Sequence, residues 1–161
     1  MFTKLLDKLA HRSSRSGVFN PYKDEKLLNN LKHYFEYLYE NNHRDVLLIG
    51  EALGFSGGKL TGIPFSSAEL IMNSEQDIFT AIRPHITIEK IESEKTATMV
   101  WDSIDNSKTV PILWNAFPFH PYNYRKPMSN RAPTNKEIKE GSFYIKELVK
   151  IFEPKIIASI G

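Results

Sequence analysis

The chain has 161 residues, 41% hydrophobic and 12% aromatic, enough for one sizeable core and too few for two ordinary domains, so a single domain over residues 1–161 is expected. Twenty-one Lys and Arg against nineteen Asp and Glu leave a net charge of +2, which excludes a diffuse basic surface and restricts any polyanion site to a local patch. With no Cys, disulfides, thiolate metal sites and cysteine-bound iron–sulfur clusters are excluded, as suits a cytoplasmic, intracellular chain.

No apolar run approaches the ~18 residues of a membrane span, so no membrane partner is expected. Residues 1–15 lack the apolar stretch of a secretory signal, although their Arg-containing amphipathic character leaves an organelle transit peptide as an alternative.

Residues 24–41 carry Leu27, Leu28, Leu31, Tyr34, Phe35 and Leu38 at helical spacing, which predicts an amphipathic packing helix. Val46-Leu47-Leu48-Ile49 predicts a strand buried on both faces and ending at Gly50. Residues 50–67 hold five Gly and one Pro, a density that suits a loop passing close to a ligand. Residues 74–94 are of mixed polarity and predict no clear element. Thr98, Trp101 and Ile104 then suggest a short helix over residues 95–104.

Val110-Pro111-Ile112-Leu113-Trp114 reads as a second apolar strand, ending at Asn115, with Pro111 near its start. Residues 116–133, rich in Pro and aromatics, predict a long ordered loop of the kind that is usually functional. Residues 135–152 predict a helix with Ile138, Phe143, Ile145, Leu148, Val149 and Phe152 as its apolar face; Thr134 and Glu137 have capping-box spacing. Residues 156–160 predict a third strand, buried like the others. Apolar strands separated by helices imply an α/β fold, a three-layer αβα sandwich around a central parallel sheet, with functional loops at the strands' carboxyl ends.

Several of these segments resemble one family. Gly50-Glu51-Ala52-Leu53-Gly54 resembles the GEAPG form of the first motif of the uracil-DNA glycosylase superfamily. Thr61-Gly62-Ile63-Pro64-Phe65-Ser66-Ser67 is similar to its base-stacking segment, and Trp114-Asn115-Ala116-Phe117-Pro118-Phe119-His120-Pro121 to its base-reading block. The likeness continues through Asn130-Arg131-Ala132-Pro133-Thr134, Glu137, Gly141 and Glu153-Pro154-Lys155, and reaches back to Asn20-Pro21-Tyr22. Several ordered blocks carry more weight than the first motif alone.

The resemblance implies a DNA repair enzyme that hydrolyses the N-glycosidic bond of uracil, or a related deaminated base, after that base is flipped out of uracil-containing DNA. Phe65 would stack on the base and Asn115 would read its edge, because one carboxamide both donates and accepts. Glu51 would orient water or stabilise positive charge on the sugar. In the family's best-known branch the acid stands at the third motif position, occupied here by Ala52. Gly54 stands where that branch has a bulky tyrosine, which implies either a wider base pocket bordered by Ala52 and Gly54 or exclusion by another residue; Leu53 stands where the family usually has Pro, which implies a different shape for the water-holding turn.

Thr61, Ser66, Ser67 and Arg131 are candidates for flanking DNA phosphates, with simple surface exposure as the alternative for each. Phe65 in the core, Asn115 capping a strand and Glu51 capping a helix are the structural alternatives for those three, and His120, between Phe119 and Pro121, either faces the pocket or, as its neighbours favour, is packed among aromatics. No metal or other cofactor is expected, since no His/Asp/Glu cluster has ligand spacing.

Family members continue to a further helix, strand and His-Pro-Ser loop whose histidine stabilises the departing base. The resemblance therefore implies a chain ending before that last strand and motif, with activity in doubt and an edge strand open to self-association. The alternative function is a non-catalytic DNA- or nucleobase-binding module of the same fold. A generic nucleotide-binding domain is a third reading, but the loop from Gly54 to Lys59 lacks a Gly-Lys-Ser/Thr ending.

Overall fold

The computed structural model describes residues 1–105 and 108–161. Helix α1 (Thr3–His11) packs Leu5, Leu6 and Leu9 inward. Helix α2 (Glu25–Glu40) forms as its periodicity predicts: the Asp24 carboxylate accepts the Lys26 N–H at 2.8 Å, and Leu31, Tyr34, Phe35 and Leu38 are buried. Between them, the short strand β1 (Val18–Phe19) pairs antiparallel with β4 (His120–Pro121).

The main sheet is parallel, three-stranded and flanked by helices, with the order β3 (Ile112–Phe117), β2 (Val46–Ala52), β5 (Ile156–Ser159). Both β2 and β3 run further at their carboxyl ends than their apolar residues suggest. The β2–β3 ladder continues through Gly50 opposite Asn115 and Ala52 opposite Phe117, so Gly50, Glu51 and Asn115 lie inside strands rather than in loops beyond them. The outer edge of β3 is closed by Tyr34, whose hydroxyl accepts the Leu113 N–H at 3.0 Å and donates to the Leu113 carbonyl at 3.4 Å. That satisfies backbone groups which an open edge would leave bare.

Burial departs from the sequence expectation. Leu47 is fully buried, but Leu48 and Ile49 only partly. All four residues of β5 are exposed, with Ile156 and Ile157 more than half so. The strand pairs with β2 on one side only, as β3 does, yet β3 is buried and β5 is not, so composition alone does not set its exposure.

The glycine-rich segment contains one helical turn, α3 (Gly58–Thr61), and leads into α4 (Ala68–Asn73). Helix α5 (Asp77–Ile82) occupies the stretch that carried no clear pattern, and α6 (Lys95–Asp102) buries Ala97 and Trp101.

Helix α7 (Asn135–Phe152) starts with the predicted capping box: the Thr134 hydroxyl accepts the Glu137 N–H and the Glu137 carboxylate accepts the Thr134 N–H. Its buried face is Glu137, Gly141, Tyr144, Glu147, Leu148 and Phe152, while Ile138 is 42% exposed. The contact point is Gly141, where any Cβ would collide with the Ala116 carbonyl oxygen of β3. Gly→Ala inside a helix ordinarily stabilises by ~1 kcal/mol. Here the sign should reverse: Gly141→Ala is expected to lower stability by about 1–3 kcal/mol through forced separation of helix and strand. Urea unfolding checks it, and a stabilised variant would refute the close packing.

Candidate active site

At the carboxyl end of the sheet, Gly50 and Asn115 are neighbours across the β2–β3 ladder. A Cβ at Gly50 would strike the Phe65 ring and stand 3.2 Å from Asn115 Nδ2. The missing side chain therefore lets an aromatic ring and a carboxamide converge on one spot. Asn115 is 3% exposed, and its Oδ1 is buried with no hydrogen-bond partner. A buried, unpaired amide oxygen costs about 1–3 kcal/mol, a penalty that a polar ligand can remove.

Phe65 is held in the left-handed region, at φ 51°. For a bulky residue this stores about 1–3 kcal/mol of strain. The surrounding loop enforces it. The Trp101 indole N–H donates to the Phe65 carbonyl at 2.8 Å, and Trp101 is itself buried edge-on against Phe79 at 4.6 Å. On the other side, the Ser66 hydroxyl bonds the Ile63 carbonyl at 2.8 Å and the Thr61 hydroxyl at 2.7 Å, while Thr61 Oγ1 accepts the Ile63 N–H. Asn30 reaches in from α2 to the Thr61 carbonyl at 2.9 Å.

A cavity of about 550 Å³ opens beside this ring and amide, a volume ample for a flipped pyrimidine nucleoside. Its lining includes Glu51, Ala52, Gly54, Phe65, Asn115 and Arg131, so six of the nine residues singled out by sequence share one space. Glu51 is exposed there, at the end of β2.

Thr61, Ser66 and Ser67 do not line it. All three are buried; Thr61 and Ser66 brace the loop, and the Ser67 hydroxyl caps α4 by accepting the Leu70 N–H at 3.2 Å. Their hydroxyls face the loop's interior, which revises the expectation that they meet DNA phosphates.

Arg131 is also revised. Its five N–H groups are all engaged: Nε to the Tyr122 carbonyl, Nη1 to the Ala132 carbonyl and Glu137, and Nη2 to the Gly17 carbonyl and Glu137. A guanidinium has five donors, so none remains for a phosphate. The side chain instead ties the lip of the cavity to α7.

His120 is fully buried between Phe55 and the stacked Tyr122 ring, bonding the Leu53 carbonyl through Nδ1 at 2.8 Å, with burial lowering its pKa. It packs among these rings and does not line the cavity.

Glu94, at the start of α6, was not singled out by sequence. It lines the cavity, and its carboxylate lies across Gly54 and Gly57, where a Cβ at either glycine would collide with it. Burial raises its pKa. Nothing in its sequence neighbourhood marks it, because only the packing of α6 brings it over the loop. Among the described residues, no three His, Asp or Glu side chains converge as metal ligands would, and no helix is long and apolar enough to cross a membrane.

The parallel sheet and the pocket at its carboxyl end, with an amide and an aromatic ring on its walls, define an open α/β architecture with its crevice where such sheets place ligands. Residues 37–161 match the family model of the uracil DNA glycosylase superfamily, and the chain belongs to that superfamily. Among solved structures, it is similar to wild-type Pedobacter heparinus SMUG2, with a TM-score of 0.65 at 16% identity over 99% of this chain and 74% of that one. At that identity the likeness speaks to the fold. No curated protein matches the chain.

Proposed function

We propose that this chain excises uracil, or a related deaminated base, from DNA by hydrolysing its N-glycosidic bond. The observation that carries the reading is the unpaired Asn115 Oδ1 beside the Phe65 ring over Gly50. A flipped uracil slides one face against Phe65 and presents its Watson–Crick edge to Asn115, whose amide accepts from N3–H and donates to a ring carbonyl. Cytosine offers the opposite pattern at that edge and leaves polar groups unpaired.

The C1′–N1 bond breaks as water adds at C1′. Glu51 orients that water, takes its proton and offsets the positive charge developing on the sugar, while the base departs as an anion held by the Asn115 amide. Ala52 borders the base, the room left by Gly54 is taken by the Glu94 carboxylate, and the acid standing one position before Ala52 fits the GEAPG-type motif. The reaction needs no metal.

Free-uracil release from uracil-containing single- and double-stranded oligonucleotides tests the reading. Release by this chain supports it. Tight binding of the same oligonucleotides without release reduces the protein to a nucleobase-binding module. We also propose that β5, with Ile156 and Ile157 exposed at the sheet edge, pairs with a second molecule; a monomer at all concentrations on sizing would refute that.

A further inference from the structure

The groups that sequence offered for phosphate contact are committed elsewhere: the Thr61, Ser66 and Ser67 hydroxyls inside their loop, and every N–H of Arg131. A net charge of +2 gives no diffuse attraction for a polyanion. Affinity for a nucleic-acid strand therefore has to come from free cations gathered near the cavity.

The segment between β4 and α7 supplies them. The Lys126 N–H donates to the Asn123 carbonyl at 2.7 Å and the Ser129 N–H to the Lys126 carbonyl at 2.9 Å. The Ser129 hydroxyl accepts the Asn123 N–H at 3.0 Å and donates to the Lys126 carbonyl at 2.7 Å. Four bonds thus close a fixed turn over residues 123–129, and the side chains it displays face water. Tyr124 is 74% exposed and Met128 73%. Arg125 and Lys126 are exposed too, with no ion pair or hydrogen bond to either side chain among the described residues.

This turn adjoins the site. It runs directly into Asn130, Arg131 and Ala132, all lining the cavity. Asn130 Oδ1 accepts the Phe55 N–H at 2.8 Å, which pins the foot of the turn to the glycine-rich loop.

We propose that the turn over residues 123–129 grips the DNA strand that carries the flipped base, with Arg125 and Lys126 on its phosphates and the Tyr124 ring stacked on a neighbouring base. Single-stranded DNA is the form it fits, because a projecting ring needs the open face of an unpaired base, which a duplex keeps covered. The inference rests on the DNA reading above but concerns a different surface.

The test is fluorescence anisotropy of a labelled uracil-containing single strand across a salt series, with base release measured in parallel. Removing two phosphate contacts in an Arg125→Ala/Lys126→Ala variant is expected to reduce the slope of log K against log salt by about 1.4. Tyr124→Ala is expected to weaken binding roughly tenfold at unchanged slope. All three residues are exposed, so the melting temperature should not move. Slopes and affinities equal to wild type, with base release intact, overturn the turn and leave the glycosylase reading standing. Strand binding that depends on the turn, without release of base, does the reverse.

Discussion

Replacing Asn115 by alanine is expected to cut base release by about 100- to 1,000-fold, the range seen when one donor that stabilises developing negative charge is removed. Stability should respond differently. Asn115 is buried, and its Oδ1 has no partner, so the free protein already carries the cost of an unsatisfied acceptor. Removing a buried polar group that is not bonded is close to neutral or stabilising. The expected signature is a chain that melts no earlier than wild type yet has lost its chemistry. Thermal unfolding and base release on the same preparations check both halves. A large drop in melting temperature would instead make Asn115 a structural residue whose amide braces the β2–β3 ladder. Unchanged release would remove it from the reaction.

The same economy explains why so much of the glycine-rich loop is devoted to one ring. Phe65 at φ 51° is unfavourable for its residue type. A single hydrogen bond from Trp101 contributes about 1 kcal/mol, so the loop's shape depends on several such bonds acting together. The Thr61–Ser66 pair and Asn30 provide them. In the proposed reaction, a loop shaped in advance lowers the ordering cost when a base arrives, and the buried hydroxyls would then serve the site without touching DNA.

Much of this was legible from residues alone. Helix α2 and the capping box of α7 rest on local patterns that tertiary packing does not override, and the motif residues Glu51, Ala52, Gly54, Phe65 and Asn115 line one cavity. What escaped depends on non-local facts. The buried face of α7 includes two glutamates, Glu137 and Glu147, made tolerable by paired cations: Arg131 for the first, and Lys4 of α1 with Lys150 of α7 itself for the second. A hydrophobic pattern cannot see them, so Ile138 was placed inward. Strand β5 has the composition of a buried strand, yet all four of its residues are exposed. Arg131 shows the same limit at the site: residue type says what a guanidinium is able to bind, and only the fold shows that its donors are already used. Glu94 arrives over Gly54 through the packing of α6, and no spacing rule reaches that far.

The Arg131–Glu137 pair should carry a large share of the stability near the cavity lip. Both guanidinium Nη atoms lie 2.8 Å from the carboxylate oxygens, the Thr134 N–H adds a bond of 2.8 Å, and the Glu137 side chain is 5% exposed. The Arg131 hydrogen bonds are the main reason that the Glu137 pKa falls to about 2. A carboxylate held below its usual value of ~4.3 stabilises the fold fully above that value and loses the contribution as pH falls through the folded pKa. A depression of this size corresponds to about 3 kcal/mol. Glu137→Gln is therefore expected to lower stability by about 3 kcal/mol at pH 7, where the variant leaves Arg131 without its counter-charge. Between pH 4 and about 2 the two proteins should converge, because wild type is losing the same charge by protonation. Urea unfolding at pH 7 and in steps down to pH 2.5 reads this directly. A deficit that stays constant over the whole range would mean that shape rather than charge holds the pair together, and a deficit below about 1 kcal/mol at pH 7 would put it with ordinary surface pairs.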